Sequence, residues 1–221
     1  MLKKKRIAEK LKYSTFLRII FDAITKFGLR ITPYYVIREG IRGNGLKSLE
    51  SGFEEYELRF LNEQDMGPLS RIPGRSITMD QLNQRLRDGH LCLGLIKDGE
   101  VVVFNWANPN ESSGSLCRFS LKAHEAYLYD AYTIPAYRGK RLAPYLRYQT
   151  YRYLSKLGMT TLYSISDAFN TPSIKFKKKL NARFVKLGLS VKLLGHGASN
   201  YTVWQSRNFK DRLYSTAPKM S

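Results

Sequence analysis

Residues 125–157 contain a strand and a helix joined by a short basic loop, and this unit restricts the chain to folds that combine both elements. Glu125 to Ile134 predicts a tyrosine-rich strand, and Leu142 to Leu157, followed by glycine, predicts a helix. The start of a helix presents unpaired N–H groups and the positive end of its dipole, and Gly139 lets the backbone approach a ligand. Three cations lie in the same loop: Arg138, Lys140 and Arg141. The unit therefore predicts either a phosphate-binding loop or a basic turn in solvent.

The other predicted elements place strands and helices on both sides of this unit. Thr78 with Gln81 forms a capping-box pattern that opens a helix over 79–87, and Pro172 at a first turn opens another over 172–180. Lys97-Asp98-Gly99 predicts a hairpin turn. Strands are predicted over 54–61, 91–96, 100–107, 160–166, 183–194 and 199–206. This order predicts an α/β fold with a mixed (α+β) sheet.

The first 50 residues differ from the rest of the chain. Residues 3–27 place apolar side chains at helical spacing among lysines and arginines, which predicts an N-terminal amphipathic helix. Its apolar face would pack on the domain or on a second copy of the chain, or would lie on an anionic membrane surface. Residues 28–52 contain five glycines and predict an irregular linker. We therefore divide the chain into a basic helix and linker (1–50), a main domain (51–208) and a basic tail (209–221), and expect a chain starting at Leu46 to stay folded.

The net charge of +19 is concentrated at the two ends of the chain. Residues 1–50 hold 12 Lys and Arg against 4 Asp and Glu, a net charge of +8. Residues 51–169 carry +1, and residues 170–221, with 11 basic against 1 acidic residue, carry +10. Such ends attract polyanions, so nucleic acid, anionic lipid, an acidic carrier protein and a phosphorylated cofactor are all candidate partners.

Cysteine and histidine usage argues against a disulfide scaffold and against a metal enzyme. The two cysteines, Cys92 and Cys117, form no C-x-x-C pattern and indicate reduced thiols in a cytoplasm. The three histidines, His90, His124 and His196, are scattered. Charges interrupt every apolar run before it reaches the length of a spanning helix. We expect a cytoplasmic protein without a metal, either free or peripheral on the inner face of a membrane.

The loop after the tyrosine-rich strand resembles the acyl-CoA loop of the GNAT acetyltransferase superfamily. Thr133 to Gly139, with the sequence Thr-Ile-Pro-Ala-Tyr-Arg-Gly, is similar to the strand end that leads into that loop. Arg138 and Ala143 match the two ends of the loop pattern. Arg141 stands where the family usually has glycine. The resemblance extends over about residues 54–206 and implies a GNAT-like acyl-CoA acyltransferase fold.

A second segment, Asn170 to Ala182, is similar to a later helix of the same family. Asn170 matches an asparagine near the pantetheine arm, and Asn181 replaces a glycine after the helix, where asparagine accepts a left-handed conformation. The resemblance implies acetyl-CoA or another acyl-CoA as co-substrate, and no metal. The residues it assigns to coenzyme A are Thr133, Arg138, Gly139, Lys140, Arg141, Leu142, Ala143, Asn170 and Lys177.

The chemistry needs a base for the amine and donors for the oxyanion of the tetrahedral intermediate. The resemblance places the oxyanion donor, a backbone N–H, near Tyr132 or Thr133. Asp130 is the first choice for the base and Glu125, next to His124, is the second, although each carboxylate could instead be structural.

The tyrosine that usually protonates the leaving thiolate in this family is missing. Counting back four positions from Asn181 reaches Lys177, which could neutralise the thiolate or reach a phosphate. A solvated helix face is the alternative for the whole run of lysines: Lys175, Lys177, Lys178 and Lys179.

The predicted function is therefore an N-acyltransferase that moves an acetyl or other acyl group from acyl-CoA to a small amine, such as an amino sugar or amino acid. A close alternative takes the acyl chain from an acidic acyl carrier protein and makes a lipid-like product. An alternative of another class is a GNAT-shaped module that binds nucleic acid or the ribosome without catalysis, although the sequence contains no nucleic-acid motif. A homodimer and an anionic membrane surface are further candidate partners.

Overall fold

An eight-stranded mixed sheet forms the centre of the computed structural model, which describes residues 18–40 except 22, 52–193 except 113 and 115, and 197–209. The strands lie in the order β2-β3-β4-β5-β6-β1-β7-β8, and β5 and β6 are the one parallel pair among them. Their bounds are β1 Leu29–Glu39, β2 Glu57–Phe60, β3 Leu91–Lys97, β4 Glu100–Asn108, β5 Glu125–Thr133, β6 Thr161–Asp167, β7 Arg183–Leu193 and β8 Ala198–Gln205. The predicted α/β class with a mixed sheet is confirmed.

Four α-helices with described bounds cover the two faces of the sheet. They are α1 Glu63–Ser70, α2 Met79–Arg87, α3 Leu142–Lys156 and α4 Thr171–Lys179. Successive side chains of a strand point to opposite faces, and β4 shows this clearly. Phe104 and Trp106 pack with residues of α1 and α2, whereas Val103 packs with residues of α3 and α4. The part of the sheet around β4 is therefore buried on both sides between two helix pairs.

Local capping explains where two of these helices begin. The Thr78 side chain accepts a hydrogen bond from Gln81 N, and the Gln81 side chain accepts one from Thr78 N, as the capping-box pattern predicts. Asn62 and Asp65 form a second capping box at the start of α1, which the sequence analysis did not predict.

Residues 29–39 differ from the prediction of an irregular linker, because they form β1. This strand lies between β6 and β7 and pairs antiparallel with both. Tyr34 and Val36 are fully buried. The glycines at positions 28 and 40 adopt positive φ angles and flank the strand, so they mark its ends.

Pro33 is accommodated in β1 because of the side to which its backbone points. The Pro33 carbonyl accepts a hydrogen bond from Ala168 N, just past the end of β6. The N and C=O of one residue point to the same side of a strand, so the missing N–H of proline faces the region beyond β6 and removes no bond to β7.

A chain starting at Leu46 would lack β1, so the structure argues against the expectation that such a chain stays folded. The loss of β1 would leave the edges of β6 and β7 that face each other without the strand that pairs with both. The division of the chain into a helix and linker, a main domain and a tail stays a prediction. Residues 210–221 lie outside the described part of the chain.

The predicted N-terminal amphipathic helix is described only at its end, since residues 1–17 and 22 lie outside the described residues. Residues 18–21 and 23–25 are helical. The Phe21 ring lies 6.0 Å from the Phe169 ring, while Ile19 and Phe27 are exposed. The described helices include none with the length and apolar character to cross a membrane.

Candidate active site

A cleft of about 780 Å³ opens where the parallel strands β5 and β6 separate. The strands pair at three positions, Glu125–Tyr127 of β5 against Thr161–Tyr163 of β6. Beyond them β5 continues to Thr133 and β6 to Asp167 without pairing with each other, and α3 and α4 contribute the remaining walls. The same region brings together most of the residues that the sequence assigns to the site.

A β-bulge in β5 turns the strand next to this opening. Trp106 of β4 pairs with Tyr129 and Phe104 pairs with Tyr132, so Asp130 and Ala131 together oppose a single residue of β4. Asp130 has φ 44°, in the left-handed region that a non-glycine residue rarely enters. A bulge bends its strand and increases the local twist, which widens the separation of β5 from β6 that begins after Tyr127.

The predicted phosphate loop connects β5 to α3. Pro135–Tyr137 forms a 3-10 turn, Gly139 has φ 82°, and Arg141, the N-cap of α3, has φ 62°. Arg141 thus adopts a left-handed conformation, which a glycine would adopt without strain and which costs a non-glycine residue about 1–2 kcal/mol. No side chain of the described residues caps the start of α3, so the first N–H groups of the helix can donate hydrogen bonds to an anion.

The loop cations lie at the surface around this helix start. Arg138 donates from Nε to the Thr133 carbonyl over 3.2 Å, and Lys140 Nζ lies 4.8 Å from the centre of the Tyr137 ring. Arg138, Lys140 and Arg141 are all exposed. Leu142 is 2% exposed and packs in the core, so only its backbone faces the loop. The arrangement fits a pyrophosphate group held by backbone N–H groups and surrounding positive charge.

A buried ion network lies behind the cleft and was not predicted from the sequence. Glu39, at the end of β1, accepts hydrogen bonds from Ser164 and from Tyr151, the latter over 2.5 Å. Arg147 Nε lies 3.3 Å from the same carboxylate. Burial alone would raise the pKa of Glu39, but Arg147, Lys177 and the two hydrogen bonds hold this pKa below its usual value.

Lys177 is the second cation of this network and is 3% exposed. Its Nζ donates to Ser166 Oγ over 2.6 Å and lies 3.8 Å from Glu39 Oε1. Burial lowers the pKa of Lys177 to about 8, although the Glu39 carboxylate acts in the opposite direction. The solvated-face alternative is therefore wrong for Lys177, while it describes the exposed neighbours Lys175, Lys178 and Lys179.

The structure separates the two candidate bases. Asp130 lines the cleft, and its Oδ2 accepts hydrogen bonds from Arg75 over 2.8 Å and from Arg85 over 2.6 Å. Burial would raise the pKa of Asp130, but the two arginines outweigh it and hold the pKa below its usual value. Glu125 is buried at the opposite end of β5, where it accepts from Lys122 N, and it does not line the cleft.

Asn170 and Asn181 flank α4. Asn170 is the N-cap of α4, accepts from Ser173 N over 3.1 Å and lines the cleft. Asn181 has φ 56° after the helix, so the predicted left-handed residue is confirmed.

Backbone alternation distinguishes Tyr132 from Thr133. Ile134 N donates to Val102 O of β4, so Tyr132, two residues earlier, also faces β4, whereas Thr133 faces the cleft. The Tyr132 side chain packs near Phe104, on the face of the sheet covered by α1 and α2.

Comparison with known proteins supports this fold. The model of the acetyltransferase (GNAT) family matches residues 54–182. A Drosophila protein of solved structure is 14% identical with a TM-score of 0.53, over 81% of this chain and 58% of that chain. A GCN5-related N-acetyltransferase-like protein from Streptococcus suis is 16% identical with a TM-score of 0.53, over 78% and 66%.

A tandem GNAT protein from the clavulanic acid biosynthesis pathway is 12% identical with a TM-score of 0.51, over 78% of this chain and 52% of that chain. At these identities the similarity establishes the fold, and the chain spans between about half and two thirds of each structure. No curated protein sequence matches the chain significantly.

Proposed function

Because the chain belongs to the acetyltransferase (GNAT) family, we propose that it transfers an acyl group from acyl-CoA to the amine of a small molecule. The observation that carries the proposal is the cleft between β5 and β6, with an uncapped helix start and three cations at its mouth. Cys92 and Cys117 are buried and form no disulfide in the described part of the chain, which agrees with the cytoplasm as the proposed location.

The acyl donor would enter through the loop. The N–H groups at the start of α3 bind the pyrophosphate, and Arg138, Lys140 and Arg141 add positive charge. The pantetheine arm then extends along the cleft past Asn170 toward the bulge in β5. This placement brings the thioester to the edge of β5, where Thr133 and Asp130 lie.

The carbon that reacts is the thioester carbonyl carbon. A neutral amine attacks it and forms the N–C bond, and negative charge develops on the carbonyl oxygen. The N–H of Thr133, which faces the cleft, is better placed to stabilise this oxyanion than the N–H of Tyr132, which faces β4.

Two proton transfers complete the reaction. The attacking nitrogen becomes acidic as the N–C bond forms, so even a carboxylate of lowered pKa can accept its proton, and Asp130 is the first choice. Glu125 stays the second choice, at a distance from the cleft. As the C–S bond breaks, the buried ammonium of Lys177 gives a proton to the thiolate in place of the missing tyrosine.

A second candidate donor is an acyl chain carried by an acidic acyl carrier protein. The exposed cations at the mouth of the cleft favour it, because they would meet the acidic surface of such a carrier. The catalytic groups would be the same with either donor.

The test is a calorimetric titration of the full chain with coenzyme A, with an acidic acyl carrier protein and with RNA at moderate salt. We expect Gly139→Asp to weaken coenzyme A binding at least about tenfold, or roughly 1.4 kcal/mol, because it puts a carboxylate against the phosphate. The matched control is Gly158→Asp. Gly158 also has a positive φ, 84°, but it follows the C-terminal end of α3, whereas Gly139 precedes the N-terminal end. If both folded variants bind coenzyme A equally well, the assignment of the loop around Gly139 to phosphate binding is wrong. If the full chain binds RNA and neither coenzyme A nor the carrier protein, the result favours a GNAT-shaped module that binds nucleic acid without catalysis.

A further inference from the structure

A second cavity, of about 610 Å³, lies on the face of the sheet opposite to α3 and α4. Its walls come from the segment before α2, from α2 itself and from the bulge of β5: Gly74, Arg75, Ser76, Ile77, Gln81, Arg85 and Asp130. Asp130 also lines the large cleft, so the two cavities meet at the bulge. A molecule in the second cavity would therefore approach the thioester from the side opposite to the donor.

The charges in this cavity do not cancel. Arg75 and Arg85 both donate to one oxygen of Asp130, which leaves one positive charge in excess. A guanidinium carries five N–H donors, and most of those in the pair remain for another acceptor. Arg75 Nε is buried and has no hydrogen-bond partner among the described residues.

Aromatic rings hold both guanidinium groups in place. The guanidinium of Arg75 lies 5.1 Å from the Phe104 ring and 5.4 Å from the Tyr132 ring. That of Arg85 lies 5.2 Å from the Trp106 ring and 5.0 Å from the Tyr129 ring. Side chains held in this way lose little rotational freedom when they bind an anion, which favours recognition of a planar or tetrahedral oxyanion.

We infer that this cavity binds the acceptor amine through an oxyanion, a carboxylate or a phosphate, held by Arg75 and Arg85. The inference rests on the proposed function and names its acceptor class: a zwitterionic amine, whose ammonium gives a proton to solvent before the neutral amine attacks. The oxyanion would contact the two arginines, and the amine would lie beside Asp130. Each charged group of the ligand would then face a group of opposite charge in the cavity. Amino acids and amino phosphates fit this pattern, and amino sugars without an anionic group do not.

The experiment compares amines that differ only in the anion. Thiol release from acetyl-CoA is followed with free amino acids against their carboxamides, and with O-phosphoethanolamine against ethanolamine. We expect kcat/KM at least about tenfold higher for the anionic member of one pair, since it alone satisfies the buried donors. The pair that shows the difference identifies the oxyanion as carboxylate or phosphate.

The variants are Arg75→Gln and Arg85→Gln, with Arg75→Lys as a milder change that keeps the charge. We expect the glutamine variants to lose the preference, and the control Arg87→Gln to keep it, because Arg87 is exposed on the same helix and bonds only to Gln84 in the described part of the chain. Equal use of both members of each pair by the unchanged protein, or a preference that survives in both glutamine variants, would overturn the inference.

Calorimetry with O-phosphoethanolamine and with amino acids separates this inference from the proposed function, because it needs no turnover. Binding of an anionic amine that depends on Arg75 and Arg85, without thiol release, supports the cavity assignment and contradicts the proposed acyl transfer. Thiol release at equal rates with neutral and anionic amines supports the proposed acyl transfer and contradicts the cavity assignment. If neither anion binds nor raises the rate, the cavity assignment is wrong.

Discussion

Lys177 has surroundings that suit an acid for a thiolate. The pKa of about 8 is close to that of a thiol, so a proton can pass between the two groups with little cost. The same lysine on a solvated helix face would hold its proton too strongly for this purpose. The sequence places Lys177 at the position of the usual acid, but its burial depends on Glu39, which lies 138 positions earlier in the chain.

We predict that kcat/KM falls as the pH rises through about 8, where Lys177 loses its proton. Lys177→Met should lower kcat at least about tenfold and remove this descending limb, since the group that titrates is gone. The measurement is the pH profile of thiol release. Lys178→Met, at the exposed neighbouring position, should keep the profile of the unchanged protein. A Lys177→Met profile that still descends near pH 8 would assign the limb to another group.

Two residues of the site carry backbone strain that the sequence indicates only in part. Arg141 and Asp130 adopt positive φ angles, which cost a non-glycine residue about 1–2 kcal/mol. The loop pattern shows that Arg141 replaces a glycine, so its conformation could be anticipated from the sequence. No local pattern marks Asp130, because its conformation results from the bulge against β4. Strain of this kind concentrates at functional sites.

At the scale of elements, β1 is the strand on which one half of the sheet depends. It pairs with β6 over residues 34–39 and with β7 over residues 29–38, and the Tyr34 ring packs against Gly188, where an added Cβ would lie 2.5 Å from that ring. The N-terminal boundary of the folded unit therefore lies before Leu29.

We predict that a chain starting at Gly28 folds and that a chain starting at Leu46 does not. The first keeps β1 and its pairing with β6 and β7, whereas the second exposes two strand edges and the apolar surface around Tyr34. Thermal unfolding followed by circular dichroism is the measurement. A cooperative transition of the Leu46 chain at the temperature of the full chain would show that β1 is dispensable.

Elements whose local signals agree with each other were predicted, and those whose local signals conflict or are weak were missed. Met79–Arg87 begins at a capping box, and Leu91–Lys97 and Glu100–Asn108 flank a hairpin turn, so their bounds agree with the prediction within about two residues. α1 contains Gly67 and Pro68, which normally end helices, and β1 contains a proline in a glycine-rich region. Pairing with distant strands stabilises β1, and no window of sequence shows that pairing.

At the scale of the whole molecule, the positive charge of the chain ends has no assigned partner. We predict that the full chain co-sediments with vesicles containing anionic lipid, because residues 3–27 combine cations with apolar side chains such as Ile19, Ile20 and Phe27, which are exposed. Added salt should weaken this binding. The control is the chain starting at Gly28, which lacks this segment and keeps β1.

If the two chains co-sediment with the vesicles to the same extent, the N-terminal helix packs on the protein and not on the membrane. Phe21, whose ring lies near Phe169, already shows that part of the apolar face contacts the domain. The measurement therefore separates binding by the exposed side chains from packing of the whole helix.

The central position of β1 also determines when the molecule can finish folding during its synthesis. Arg38 of β1 hydrogen-bonds to Thr161, which is 123 residues further along the chain, and the partners in β7 follow later still. At about 5–20 residues per second, translation leaves β1 without partners for on the order of ten seconds. Strands β2 to β5 can pair with each other in that interval. The last step is then the insertion of β1 between β6 and β7, so the nascent chain cannot complete this part of the sheet before residues 161–193 have been made.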